Sequence, residues 1–166
     1  MTRLMKPDDL RRHIKNFLSS HRFGSLGTCM NNIPRSSPVQ YFLGQDLEIY
    51  ILSAGGTKFQ YISHNPNVCL LVNTDYINYT RIEGVQIFGK AVTSEQDEDL
   101  LREALEFCPD WHSIGEIKEN IKAIKIIPEE IIYLNSRETG DRTKQILRGE
   151  DISKRKTRLT GELVFQ

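Results

Sequence analysis

A short segment at residues 53–58, Ser-Ala-Gly-Gly-Thr-Lys, carries residue types that can hold a phosphate group. Gly55 and Gly56 allow the backbone to approach a ligand closely, and the first amides of a helix point outward with partial positive charge. Thr57 adds a hydroxyl group and Lys58 adds a full positive charge. The segment lacks the GxxxxGK(S/T) spacing of a P-loop, and the same residues also suit a plain turn before a helix. Local chemistry therefore leaves two interpretations open, an anion cradle and a structural turn.

The four histidines do not form a metal-binding pattern. Cys108 and His112 have the spacing of neighbours on one helix face, but Pro109 lies between them and no second pair exists. The sequence therefore predicts no metal site. His64, close to the glycine segment, is open to two interpretations, a proton donor to a substrate or a residue at a helix end. The sequence does not assign any residue as a general acid or a general base.

The composition predicts one soluble domain in a reducing cytoplasm, without a nucleic-acid or membrane partner. The 166 residues include 22 Lys or Arg and 22 Asp or Glu, so the basic excess typical of nucleic-acid binding is missing. Cys29, Cys69 and Cys108 are far apart, and no apolar run approaches the roughly 18 residues of a membrane span. Residues 141–166 hold seven Lys or Arg against four Asp or Glu. We treat residues 1–140 as the domain and the remainder as its polar, basic C-terminal extension.

The elements that must position the glycine segment follow from hydrophobic periodicity, which predicts three helices and six or seven strands. Apolar residues with helical spacing begin after Pro7, after Thr57 and after Ser94. Thr57 is placed to cap its helix. The strands are expected at residues 23–30, 36–43, 47–52, 68–72, 83–93, 121–127 and 131–134. A turn or kink is expected at Pro128 between the last two. Because the strands are consecutive, their order favours a small β-barrel with peripheral helices over a doubly wound sheet.

Four segments around the glycine turn, in this order and spacing, resemble the pyridoxamine 5'-phosphate oxidase-like family, the FMN-binding split β-barrels. They read PRSSPV at 34–39, LEIYIL at 47–52, ISHNPNV at 62–68 and VQIFGKA at 85–91. The resemblance covers about Leu10 to Thr93 and extends weakly to Leu134. It implies a mainly β, α+β fold, a six-stranded antiparallel split β-barrel. It also implies a homodimer that holds FMN in a groove between the two chains.

The resemblance further implies which residues contact the cofactor. The strand segment 36–40 runs along the flavin and offers backbone hydrogen bonds to the ring edge, while Thr57 and Lys58 hold the phosphate. Arg35 shares a strand face with Ser37 and is a further candidate for the phosphate. The complete predicted set is Arg35, Ser36, Ser37, Pro38, Val39, Gln40, Leu52, Ser53, Thr57 and Lys58.

The chain departs from pyridoxamine phosphate oxidases at the residues that bind substrate. Those enzymes carry Arg at the position of Ser37, Lys at the position of Phe42 and a basic C-terminal motif, whereas this chain ends in Gly-Glu-Leu-Val-Phe-Gln. We therefore expect an FMN-dependent oxidoreductase for a small molecule, without vitamin B6 chemistry. A non-catalytic flavin-binding or redox-sensing protein, and a barrel that binds the deazaflavin F420 or haem, stay open. Trp111, Tyr76 and Tyr79 suit either the border of the groove or ordinary packing.

Overall fold

The computed structural model describes residues 3–110 and 119–153. Within those ranges the chain forms three α-helices and seven β-strands. The helices are α1 Pro7–Ser19, α2 Thr57–His64 and α3 Leu100–Phe107. The strands are β1 Phe23–Met30, β2 Ile33–Leu43, β3 Ile49–Ser53, β4 Asn67–Asn73, β5 Glu83–Thr93, β6 Lys122–Asn135 and β7 Gln145–Arg148. None of the helices in these ranges combines the length and apolar character needed to cross a membrane.

The strands form one antiparallel sheet that closes on itself. Their hydrogen-bonded order is β3-β2-β1-β4-β5-β6-β7, and β3 pairs in addition with β6. Six strands therefore make a ring, which β7 extends along the edge of β6. The ring is uneven, because β2 pairs with β3 only from Tyr41 to Leu43. This mainly β architecture, with peripheral helices, confirms the predicted split-barrel fold.

The core lies inside the ring and under α1. Strand residues alternate between the two faces, so that Val68, Leu70 and Val72 of β4 are buried while their neighbours are less so. Pro7 at the first turn and two adjacent aspartates favour the start of α1. Its buried face, Leu10, Ile14, Phe17 and Leu18, joins the same cluster. Burial of each such side chain contributes roughly 1.5–3 kcal/mol.

The prediction of two separate strands around Pro128 is wrong, because Lys122–Asn135 is one continuous strand of 14 residues, although the predicted kink is present as a bulge. Pro128 pairs with Gly89 at a β-bulge, where the register of β5 against β6 shifts. Proline is tolerated at such a bulge because the ladder is already interrupted there. The bulge also requires glycine, since a Cβ on Gly89 would overlap the carbonyl oxygen of Ile127.

Several predicted boundaries also differ from the structure. The helix expected after Ser94 begins at Leu100, because the backbone N–H groups of Gln96 and Asp97 both donate to the carbonyl of Thr93 and form a turn. Strand β2 begins at Ile33, since the hairpin turn contains only two asparagines with φ of 50° and 62°. A one-turn 3-10 helix, Gln45–Leu47, delays β3, and β7 was not predicted.

Candidate cofactor-binding site

The glycine segment forms a tight turn between the end of β3 and the start of α2. Gly55 and Gly56 have φ of 124° and 109°, a backbone conformation that side chains with a Cβ rarely adopt. Ser53 Oγ donates to the carbonyl oxygen of Gly55 at 3.1 Å and accepts the Gly55 N–H at 3.2 Å. Lys58 Nζ donates to the same carbonyl oxygen at 2.8 Å. The turn therefore holds the amine of Lys58 beside the N-terminus of α2.

Thr57 does not cap α2 as predicted, because it is already the first helical residue and Gly56 occupies the N-cap position. No side-chain cap bond forms at this end of the helix. The amides of a first helical turn lack partners within the helix, so an anion can take the place of a capping side chain. Thr57 is exposed beside these amides, and its hydroxyl can reach a ligand from solvent.

A second lysine reaches the turn from β6. Lys122 pairs with Ser53 in the β3–β6 ladder, and a Cβ placed on Gly55 would lie 4.0 Å from Lys122 Nζ. The Nζ atoms of Lys58 and Lys122 each lie 5.6 Å from the ring centroid of Phe59. The turn is therefore flanked by two cationic side chains. Sequence analysis missed Lys122, because its place at the turn depends on a strand pairing between residues far apart in the chain.

The charges at the turn differ in their environment. Burial lowers the pKa of Lys58 from its ordinary value of 10.5, because the charged amine is partly shielded from water. Lys122 is 40% exposed and forms a close ion pair with Glu95. An anion at the turn would supply Lys58 with the countercharge that Glu95 supplies to Lys122.

Strand β2 presents an unpaired backbone edge beside this turn. The Tyr41 N–H donates to the carbonyl oxygen of Arg22 at 2.9 Å, on the β1 side. Because backbone groups alternate between the two edges of an antiparallel strand, those of Ser36, Pro38 and Gln40 point away from β1. Those of the residues between them point into the β1 ladder. In the described part of the chain, no strand pairs with residues 36–40 along the outer edge.

The gap beside this edge arises because β2 and β3 diverge. After Ile51, β3 stays paired with β6 alone, with Leu52 opposite Ala123 and Ser53 opposite Lys122. The end of β3 therefore leads away from β2 toward the glycine turn. The predicted ring-binding strand and the predicted phosphate-binding turn thus lie on the two sides of one opening.

The structure brings part of the predicted residue set together. Gln40, Leu52 and Ser53 line one cavity of about 350 Å³, and Ser53 connects it to Lys58 through the carbonyl of Gly55. Val39 is 7% exposed, so its side chain belongs to the core. Among the other predicted residues of β2, Ser36 and Pro38 are exposed and Ser37 is half-buried.

Arg35 contacts α2 rather than the glycine turn itself. Its Nε donates to the hydroxyl of Tyr61 at 3.0 Å, and its guanidinium carbon lies 5.3 Å from the centroid of that ring. Tyr61 lies one helical turn after Thr57 and is buried. The contact fixes β2 to the helix whose N-terminus carries Lys58.

The remaining candidates lie away from the turn. His64 is the last residue of α2, where its Nδ1 contacts the carbonyl of Gln60 at 2.9 Å. Tyr76 and Tyr79 line a separate exposed cavity in the loop between β4 and β5. Trp111, like His112, lies outside the described residues. Within the described ranges, no group of three or more His, Cys, Asp or Glu side chains could hold a metal ion.

The six-stranded ring with a cationic turn at its opening defines a split-barrel protein, and comparison gives the family. The chain matches the pyridoxamine 5'-phosphate oxidase family over residues 10–135 and belongs to it. General stress protein 26 of Bacillus subtilis is 28% identical over 138 residues, which cover 81% of this chain and 94% of that protein.

Two solved structures share the fold at low identity. A heme-binding protein from Mycobacterium smegmatis is 16% identical with a TM-score of 0.68, over 92% of this chain and 61% of that one. An FAD-binding protein from Mesorhizobium loti is 16% identical with a TM-score of 0.57, over 72% of this chain and 90% of that one. Flavin and haem ligands are thus both found on barrels of this type.

Proposed function

We propose that the chain is an FMN-binding flavoprotein and an oxidoreductase for a small molecule. The observation that carries this proposal is the glycine turn flanked by Lys58 and Lys122, beside the unpaired edge of β2. A phosphate dianion needs preorganised donors, and contacts with charged donors are the stronger kind. The two lysines, the hydroxyl of Thr57 and the first amides of α2 supply such donors together.

The ring of the cofactor is assigned to the gap between β2 and β3. Backbone groups of Ser36, Pro38 and Gln40 face this gap and would hydrogen-bond the polar edge of the ring. When bound, FMN supplies two-electron redox chemistry, and the chain binds and orients it.

The proposal includes a homodimer with the flavin at its interface. The gap lies at the surface of one chain, so a second chain is needed to cover the ring. Phe23, the residue opposite Gln40 on β1, is 70% exposed and suits such a contact. We place the protein in the cytoplasm, which agrees with its three free thiols.

Titration with FMN and riboflavin tests the phosphate assignment. Lys58→Ala should weaken FMN binding roughly tenfold or more, as expected for the loss of a charged hydrogen bond. Riboflavin lacks the phosphate, so its affinity should be the same in both proteins. Lys144→Ala removes an exposed lysine in the loop before β7 and serves as the matched control. Equal FMN affinity in the wild type and Lys58→Ala would contradict the assignment.

Absorption spectra and turnover separate the alternatives. Freshly purified protein should show flavin bands, whereas a Soret band would indicate haem, and F420 would give its own absorption and compete with FMN. Steady-state oxidation of reduced nicotinamide by the FMN-loaded protein, with small-molecule acceptors, should proceed if the protein is an oxidoreductase. Stoichiometric flavin reduction without turnover would instead indicate a flavin-storing or redox-sensing protein.

A further inference from the structure

The cavity of about 350 Å³ continues the proposed flavin groove beyond Ser53. It shares Gln40, Leu52 and Ser53 with the predicted cofactor set and extends past them to Arg22, Phe42 and residues 108–110. Small-molecule sites have volumes of roughly 300–1,000 Å³. The cavity is therefore large enough for a one-ring molecule next to the groove.

The aromatic wall of this cavity is held in place from behind. The ring of Phe42 stacks on Tyr50 with centroids 5.8 Å apart, and Tyr50 stacks on Phe107 at 5.4 Å. Tyr50 is fully buried, and its hydroxyl donates to Glu103 Oε1 at 2.6 Å. The stack ties the wall to α3, so Phe42 presents a fixed apolar surface to a ligand ring.

Arg22 is the one cationic residue among the described residues that line this cavity. Its carbonyl accepts the Tyr41 N–H at 2.9 Å, which fixes the arginine backbone at the cavity. The side chain is exposed and makes no ion pair with any described residue. Asp110 also lines the cavity. Arg22 is therefore the positive charge that the described lining offers to a ligand.

We infer that this cavity is the substrate pocket and that it takes a small planar aromatic carboxylate. The guanidinium of Arg22 binds the carboxylate in the two-pronged geometry that suits these groups, and Phe42 packs against the ring. The inference rests on the proposed function for the flavin beside the pocket. The pocket itself consists of residues of one chain, so its ligand can be tested with or without the cofactor.

Calorimetric titration with benzoate tests this inference. FMN-loaded protein should bind benzoate, and Arg22→Gln should weaken the binding about tenfold or more because a charged double contact is lost. Benzamide has the same shape without the charge, so it should bind the wild type more weakly and be insensitive to Arg22→Gln. Arg102→Gln on the exposed face of α3 is the matched control and should leave benzoate binding unchanged. Arg22→Lys should retain part of the affinity.

Three results would overturn the inference. They are the absence of benzoate binding at millimolar concentration, equal affinity in the wild type and Arg22→Gln, and competition between benzoate and FMN for one site. The same titrations on flavin-free protein separate this inference from the proposed function. Failure of FMN to bind would remove the flavin assignment, while benzoate binding that depends on Arg22 would keep the pocket.

Discussion

Two lysines three residues apart on β6 lie in opposite surroundings. Lys122 shares the inward strand face with Ile124 and reaches the opening of the barrel beside the glycine turn. Lys125 lies on the outer face beneath α3, where it contacts Glu103 at 2.6 Å and Glu48 at 3.5 Å. Its side chain is 16% exposed, against 40% for Lys122.

The difference shows that one strand can carry a lysine that stabilises the fold, Lys125, and a lysine that is suited to bind a ligand, Lys122. Lys125 is enclosed by two carboxylates and lies 5.6 Å from the centroid of Tyr50, so its charge is already neutralised within the protein. Among the described residues, Lys122 has one carboxylate partner, Glu95, which is itself 45% exposed. A phosphate group can replace an exposed carboxylate at little cost, whereas it cannot enter the enclosed cluster.

The largest expected effect is on folding stability. Lys125→Met should lower the free energy of unfolding by about 2 kcal/mol, because it removes the cation that Glu48 and Glu103 share in a partly buried cluster. Urea unfolding measures this loss, and FMN affinity should stay unchanged. Arg102→Met removes an exposed pair with Asp99 and should cost less than about 0.5 kcal/mol. Equal losses in the two variants would remove the distinction between enclosed and exposed charges.

Substitution of Lys122 should have a smaller effect, and this effect should be on FMN binding rather than on stability. Lys122→Gln should weaken FMN binding about fivefold, or about 1 kcal/mol, because one of two cations at the turn is lost. Urea unfolding should change little, since the pair with Glu95 is exposed. Fluorescence titration with FMN measures the affinity. A loss of similar size for riboflavin would show that Lys122 does not act on the phosphate.

Removal of the Glu95 carboxylate should change FMN affinity in the opposite direction. Glu95→Gln should strengthen FMN binding by a few tenths of a kcal/mol, because Lys122 no longer has to give up the Glu95 carboxylate in order to contact the phosphate. The gain should disappear when Lys122→Gln is also present, which a double-mutant cycle detects. Weaker FMN binding in Glu95→Gln would mean that the carboxylate positions the lysine instead of competing with the ligand.

The smallest expected effect is a pH dependence caused by Lys58. Its pKa is lowered in the folded protein, so between that value and 10.5 the unfolded chain holds a proton that the folded chain has released. Stability contributed by Lys58 therefore rises with pH in this window, while FMN affinity falls as the amine loses its charge. Unfolding and FMN titrations of the wild type and Lys58→Gln, at several alkaline pH values, should show both trends in the difference between the two proteins, because the other alkaline groups titrate alike in both.

The local parts of this fold could be predicted from sequence, whereas its long-range contacts could not. The bounds of β1 and β5 and the start of α1 match their predicted positions because alternation and helical spacing act within each segment. Pro128 led to the prediction of two strands where there is one, since a bulge opposite Gly89 accommodates a proline that would normally end a strand. The short strand β7 depends on pairing with β6 and has little pattern of its own.

The candidate site divides in the same way. The sequence by itself determined the glycine turn and the positions of Thr57 and Lys58, because neighbouring residues and backbone freedom specify a strand, a turn and a helix start. Only the tertiary structure decided that Lys122 joins the turn, that β2 keeps an open edge and that Arg22 and Phe42 share a cavity. These contacts depend on strand register and on closure of the ring. Burial of the whole core determines both, so they cannot be predicted from any short segment.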